Sequence, residues 1–235
     1  MKKVSVIVLV VIGLLFAAYA DAARPKRRTR NADRIGPYAG AMVGMSQYTG
    51  DPTQDESDLE DVFNGIPTQN LVVGTDDKDL GYAAQFGYRF NRYIAMEFAL
   101  AQYGELVSHA RADIDPGDGS SVPAAVDLKF HVGGPKLSAI GILPVNNKLE
   151  FFGQVGVLFA ASEREFLVKI NGDPNTFGSV KVDSTELALG VGAAWHFNQM
   201  YTMRVQYERL TDVGDEKRIG TEDINTASLG LIVRF

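Results

Sequence analysis

Cysteine is absent from the 235 residues, which excludes a disulfide framework, a thiolate metal site and a cysteine nucleophile. Basic excess is also missing. Lys+Arg number 23 against Asp+Glu 29, the net charge is −6, and the pI is about 5.1; this balance argues against a general nucleic-acid binder. Beyond the first twenty residues no stretch approaches the roughly 20 consecutive apolar residues of a spanning helix. What is present is unremarkable in bulk: 46% hydrophobic residues, a mean hydropathy of −0.05, Gly 24, Phe 13 and Tyr 9. Such a composition fits many short strands, whether in a soluble sandwich or in a membrane.

The amino terminus chooses a compartment. Lys2 and Lys3 precede an apolar run from Val4 to Ala18, and small residues follow as Ala18-Tyr19-Ala20 or Ala20-Asp21-Ala22. This is the pattern of a cleaved secretory signal, and no cysteine follows it to carry a lipid. The expected organisation is a signal peptide over 1–20 (cleavage after 22 as the alternative), a basic periplasmic tail over 21–34, and one domain over 35–235. The tail holds Arg24, Lys26, Arg27, Arg28, Arg30 and Arg34, suited to anionic headgroups or to a disordered segment.

Downstream, apolar and polar residues alternate with period 2. Tyr82, Ala84, Phe86, Tyr88 and Phe90 alternate with small or polar residues, and Ile94, Met96, Phe98 and Leu100 continue on the same face after Asn91-Arg92-Tyr93. Comparable segments cover Pro37–Tyr48, Val126–Leu143, Lys148–Phe159, Glu186–Phe197, Tyr201–Glu208 and Thr226–Phe235, making eight strands. Gly133-Gly134-Pro135 is expected to be a bulge in the fourth, because splitting it gives an odd number. Three short turns (Asn91-Arg92-Tyr93, Val145-Asn146-Asn147, Asn198-Gln199-Met200) alternate with long polar connections near 49–79, 108–124, 162–179 and 211–223. That layout predicts an all-β fold, an eight-stranded antiparallel transmembrane barrel with short periplasmic turns and long extracellular loops.

The aromatics agree. Tyr88, Phe90, Tyr93, Phe151, Trp195, Phe197 and Tyr201 gather beside the short turns as a girdle, and Tyr82, Tyr103, Phe159 and Tyr207 lie nearer the long loops. The opposite face is rich in Gly and Ala, as a narrow lumen requires and a solvated sheet face does not. Its polar members are Arg89, Glu97, Glu150, Gln154, Glu186, Arg204, Gln206, Glu208 and Arg234. They are read as a polar plug, since an eight-stranded interior is only wide enough for side chains.

From about Gly36 to Phe235 the chain resembles the OmpA transmembrane-domain family of small, porin-like outer-membrane barrels. The likeness rests on Tyr38-Ala39-Gly40-Ala41-Met42-Val43-Gly44-Met45-Ser46-Gln47-Tyr48, on Tyr93-Ile94-Ala95-Met96-Glu97, and on Leu143-Pro144-Val145-Asn146-Asn147-Lys148-Leu149-Glu150. The ending resembles the family's signal for the outer-membrane barrel-assembly machinery, through Ser228, Gly230, Val233 and Phe235. The resemblance implies that Glu97 and Arg204 face each other as an interior ion pair. The family's second acid and its lysine align with Ala194 and an apolar residue near Ile140, and a further basic position with Gln154. One principal pair is therefore expected. The C-terminal peptidoglycan-binding domain of the family's namesake is expected to be lacking.

The implied role is structural and surface-exposed: membrane integrity, with loops for adhesion or for host or phage ligands. Implied partners are outer-membrane lipids and lipopolysaccharide, periplasmic chaperones and the assembly machinery, with no nucleic acid, no cofactor and no metal, in a monomer. A narrow ion channel or small-solute porin is the alternative, and a lipid-modifying enzyme the third reading. An enzyme needs a nucleophile, a base and an acid at the outer strand ends. His196 lies beside a short turn, His109 in a loop, and His131 is placed inward near Ser138 or Asp127; no two make a motif, so no catalytic residue is expected. Asp113–Gly119 lacks the spacing of a calcium loop. Asp51 to Asp61 is read as an acidic solvated loop, and Ser57–Phe63 as a short helix capped by Ser57.

Overall fold

The structure, a computed structural model, describes residues 34–49, 63, 64, 66, 68–115, 120–171, 173–215 and 220–235. The signal peptide, the tail up to residue 33, the loop residues 50–62 with the expected short helix, and residues 116–119 lie outside the described residues. The nine strands among the described residues are β1 (Gly36–Thr49), β2 (Thr68–Asp76), β3 (Lys78–Arg89), β4 (Ile94–Ile114), β5 (Val122–Pro144), β6 (Leu149–Ile170), β7 (Asp173–His196), β8 (Tyr201–Asp215) and β9 (Gly220–Arg234).

All pair antiparallel, and the sheet closes on itself through β1–β9 at one seam and β4–β5 at another. Nine strands occupy eight places in the ring. β3 pairs with β4 up to Tyr82↔Gln102, and β2 takes over from Asp76↔Val107 to Thr68↔Ile114. β2 therefore prolongs β3 past the break at Asp77. Following paired residues once round the ring returns to β1 displaced by about ten residues, the stagger that tilts the strands of a closed barrel.

Each short turn is built by the same device. Asn91 Oδ1 accepts from the backbone N–H of Tyr93 and Ile94 at 2.7 and 2.9 Å. Asn146 accepts from Lys148 and Leu149 at 2.8 and 2.9 Å, and Asn198 from Met200 and Tyr201, both at 2.8 Å. The asparagine side chain mimics a backbone turn and lets the strands reverse over three residues. Tyr88 then pairs with Met96 and Phe86 with Phe98, putting these rings on the outer face.

Two expectations are corrected. The regions read as long loops are mostly strand: β4 continues to Ile114, β6 to Ile170, and β7 begins at Asp173. At 21 to 24 residues, β4 to β7 far exceed the 9–11 residues that cross a bilayer. Above the membrane their outer face carries cross-strand pairs such as Lys129–Glu105 at 2.7 Å and Lys181–Glu163 at 3.0 Å. Solvated charges on that face gave these stretches a loop-like composition. β7–β8 pairing stops at Ala188↔Leu210, whereas β8 and β9 run on as a ribbon to Asp215↔Gly220.

The second correction concerns the bulge. β5 passes Gly133-Gly134-Pro135 without a register shift against β6. The shift falls on β4, between Gln102 and Glu105. Gly104 sits there at φ +83, a left-handed conformation open to glycine. The bulge switches the inward set of β4 from odd numbers (Ala99, Ala101, Tyr103) to even ones (Leu106, Ser108, Ala110).

Candidate functional site: the layered lumen

The girdle residues Tyr88, Phe90, Tyr93, Phe151, Trp195, Phe197 and Tyr201 are all exposed on the outer face, as a lipid-facing wall demands. Of the aromatics assigned to the opposite rim, Phe159 and Tyr207 are exposed, but Tyr103 is buried inside the barrel. Its odd number places it on the inward set of β4, just before the bulge.

Inside, the side chains stack in layers that can be read along single strands. On β6 the inward residues are Glu150, Phe152, Gln154, Gly156 and Leu158; on β8 they are Thr202, Arg204, Gln206, Glu208 and Leu210. The layer at the short-turn end centres on Glu150. Its carboxylate accepts Arg89 Nη1 and Nη2 at 2.9 and 3.1 Å and Arg34 Nη1 at 3.1 Å, and lies 3.1 Å from His196 Nε2. On the other side of the imidazole, Thr202 Oγ1 is 2.8 Å from Nδ1, and Arg234 Nη1 donates to Thr202 at 2.9 Å. Arg34 precedes β1, and desolvation holds its guanidinium below the usual arginine range against the pull of Glu150.

Next comes an apolar layer of Tyr38, Ala95, Ile140, Phe152 and Ile232. The Phe152 ring needs Gly192, where a Cβ would stand 2.3 Å from Cζ. The Arg204 guanidinium lies over the same ring, its carbon 4.0 Å from the centroid.

The middle layer is one connected network. Glu97 accepts Tyr38 Oη at 2.7 Å and pairs with Arg204 Nη1. Arg204 Nη2 donates to Gln154 Oε1 at 3.2 Å, and Gln154 Nε2 donates to both Ser138 Oγ and Glu208 Oε2 at 3.0 Å. Glu208 further receives Tyr103 Oη at 2.8 Å, Gln206 Nε2 at 3.0 Å, and Lys136 Nζ. One principal pair was expected; the described lumen contains two in this layer, bridged by Gln154, and a third cluster at Glu150. In the sequence the facing of Lys136 is hidden by its position beside Gly133-Gly134-Pro135, which reads as an irregularity. Its even number, shared with the buried Ser138 and Ile140, was the available signal.

A second apolar layer caps the network on the long-loop side. Tyr48, Leu106, Phe130, Val132, Leu158, Ala188, Leu210 and Ile224 meet there, and Val132, Leu158, Leu210 and Ile224 have no exposed surface. Glu186, grouped with the plug by its alternation, is buried opposite Leu158, away from Glu208. Two cavities of about 40 Å³ flank Glu97, one towards Lys136 and one towards Glu150; each has room for a few waters.

The histidines are not brought together. His131 lies outward and half-exposed, 3.7 Å from Glu105, not beside Ser138 or Asp127. The even-numbered residues of β5 hold the lumen, so an odd-numbered side chain cannot. His109 belongs to β4, not to a loop. At the chain's end Gly230 and Val233 are buried and Ser228 and Phe235 half-buried; Val233 pairs with Ala39 and Tyr201 at the seam.

A closed antiparallel ring with an apolar outer wall, an aromatic girdle and a polar interior is the architecture of an integral outer-membrane β-barrel. The OmpA-like transmembrane domain family matches residues 32–235, and the chain belongs to that family, in the outer membrane of a Gram-negative bacterium. It is 27% identical over 236 residues to outer membrane protein A of Yersinia pseudotuberculosis serotype I (strain IP32953), covering 100% of this chain and 56% of the relative. To outer membrane protein A of Serratia marcescens it is 28% identical over 240 residues, covering 100% and 56%. The chain thus spans about half the length of the curated relatives it matches. Among solved structures it is similar to neisserial surface protein A (13% identity, TM-score 0.45, covering 85% of this chain and 97% of that one). The N-terminal β-barrel domain of Pseudomonas aeruginosa OprF gives 12% identity and a TM-score of 0.44, covering 86% and 98%.

Proposed function

We propose that this protein is a structural barrel with a closed lumen, supporting outer-membrane integrity and presenting its extracellular wall to surface ligands. The observation that carries the closure is the layering: the Glu97–Arg204–Gln154–Glu208–Lys136 network lies between two apolar layers formed by Phe152, Ile140 and Ile232 below and Leu158, Leu210 and Ile224 above. An ion passing through the barrel must cross both layers as well as the network, and the two cavities that flank Glu97 hold only about 40 Å³ each. Buried charges paired in this way rigidify the ring.

The strands of β4 to β7 outside the bilayer supply the contact surface for adhesion or for host or phage ligands. Outer-membrane lipids and lipopolysaccharide surround the apolar wall. Ser228, Gly230, Val233 and Phe235 are proposed to hand β9 to the barrel-assembly machinery before it closes on β1. Planar-bilayer recording tests the closure: the folded protein is expected to give no discrete conductance steps. Regular picosiemens-scale steps that change in Glu97→Ala or Arg204→Ala would establish the narrow channel instead.

A further inference from the structure

The short-turn end of the barrel holds a cavity of about 260 Å³, distinct from the spaces in the middle of the lumen and lined by Arg34, Arg89, Arg92, Asn146, Asn147 and Glu150 among others. Two guanidinium groups, those of Arg34 and Arg89, face one carboxylate, that of Glu150, and Arg92 adds a third cation to the lining. Arg89 is committed: Nε donates to Asn91 O at 3.0 Å, Nη2 to Arg92 O at 2.6 Å, and Nη1 and Nη2 reach both oxygens of Glu150. That chelation neutralises Glu150. Arg34, which shares the same carboxylate and the carbonyl of Asn147, and Arg92 therefore remain as excess positive charge. The Arg92 guanidinium lies over the Tyr93 ring, 5.0 Å from its centroid.

The surroundings decide what kind of anion belongs there. Tyr93 is an outward girdle ring, and Leu143 and Val145, which bracket the Pro144 of the cavity wall, are among the most exposed apolar residues of the protein, at 64% and 53%. A cationic interior with an apolar rim at the level of the aromatic girdle matches one molecule: a lipid with its phosphate inside and its acyl chains along Leu143 and Val145. Asparagine amide donors in the wall suit phosphate oxygens.

We propose that this cavity binds the phosphate of an anionic glycerophospholipid from the periplasmic leaflet, held by Arg34 and Arg92. The site tethers the Val145-Asn146-Asn147 turn and the chain entering β1 to the membrane surface.

Trp195 reads it out. It is the single tryptophan, exposed on the girdle and paired with Leu149, one residue from Glu150. The full chain, folded into mixed vesicles, is titrated with phosphatidylglycerol or phosphatidylcholine carrying brominated acyl chains, and Trp195 quenching yields their relative binding constant. The wild-type protein is expected to prefer phosphatidylglycerol at least about five-fold, since each guanidinium at a membrane surface contributes on the order of that factor. Arg34→Gln/Arg92→Gln is expected to bring the ratio close to one. Gel mobility of unboiled samples shows that each variant is folded. Arg92→Gln alone, an exposed change, is expected to lower the ratio part of the way and serves if the double variant does not fold. Equal constants in the wild type, or an unchanged preference in the folded variants, would overturn the site. Loss of the preference on adding inorganic phosphate, but not chloride at equal ionic strength, would assign the cavity to soluble phosphate and overturn the lipid.

Discussion

Gln154 donates to Glu208 across the lumen at 3.0 Å, although they stand on β6 and β8 and are 54 positions apart in sequence. The same amide accepts Arg204 through its oxygen, so a neutral side chain joins two ion pairs into one network. Gln154→Leu leaves Arg204 Nη2 without its acceptor and takes one of three donors from Glu208 Oε2, inside an apolar enclosure. The expected loss is about 1–3 kcal/mol, measured by urea unfolding in lipid vesicles with Trp195 fluorescence as the probe.

Lys136 and Glu208 test the buried pair more severely. Lys136→Met removes the cation and strands a carboxylate, at a cost of about 3–5 kcal/mol. Lys136→Met combined with Glu208→Gln is expected to recover most of it, because no buried charge is then left alone. A double-mutant cycle checks this; additive losses would mean that the pair is not coupled.

The height of the lipid-facing band is set by the point at which outward charges begin. Val155 and Val180 are equally exposed, at 50% and 48%, but Val155 lies on the outer face between Phe151 and Phe159, whereas Val180 shares the even-numbered face of β7 with the buried Val182, beyond the upper apolar layer and next in sequence to the water-facing pair Lys181–Glu163. Val155→Arg is expected to destabilise the barrel by about 2–4 kcal/mol, as a charge near the bilayer midplane does. Val180→Arg is expected to change stability by about 0.5 kcal/mol or less. Paired unfolding curves give both values.

Gly104 holds the only bulge of the β4–β5 pairing recorded among the described residues. A Cβ there would meet Asp79 Cβ at 2.8 Å, and the φ of +83 disfavours any L side chain. Gly104→Ala is expected to cost about 1–3 kcal/mol. The lower ring should persist, and gel mobility of unboiled protein should still report a folded band.

Period-2 alternation was enough to place the strands between Phe86 and Phe98, or between Leu149 and Phe159, because lipid on one side and a narrow lumen on the other force opposite chemistry onto neighbouring residues. Asn91, Asn146 and Asn198 marked the turns for a local reason, the reach of a short amide to its own backbone. The same logic failed above the bilayer. There the outer face meets water, Glu163 and Lys181 replace Val and Phe, and a strand becomes compositionally indistinguishable from a loop.

The sequence by itself determined that the strands alternate, that aromatics gather beside the short turns, and most of the charges that point inward, Lys136 excepted. These are properties of single strands and tight turns, decided by contacts a few residues apart. Which inward charge meets which was decided only by the closed ring. Lys136 reaches Glu208, Tyr38 reaches Glu97 and Gln154 spans two clusters because strand tilt and stagger bring distant positions to one level. The layering has the same origin: Phe152 and Leu158 enclose Gln154 along one strand, but they enclose the network only once all eight places in the ring are filled.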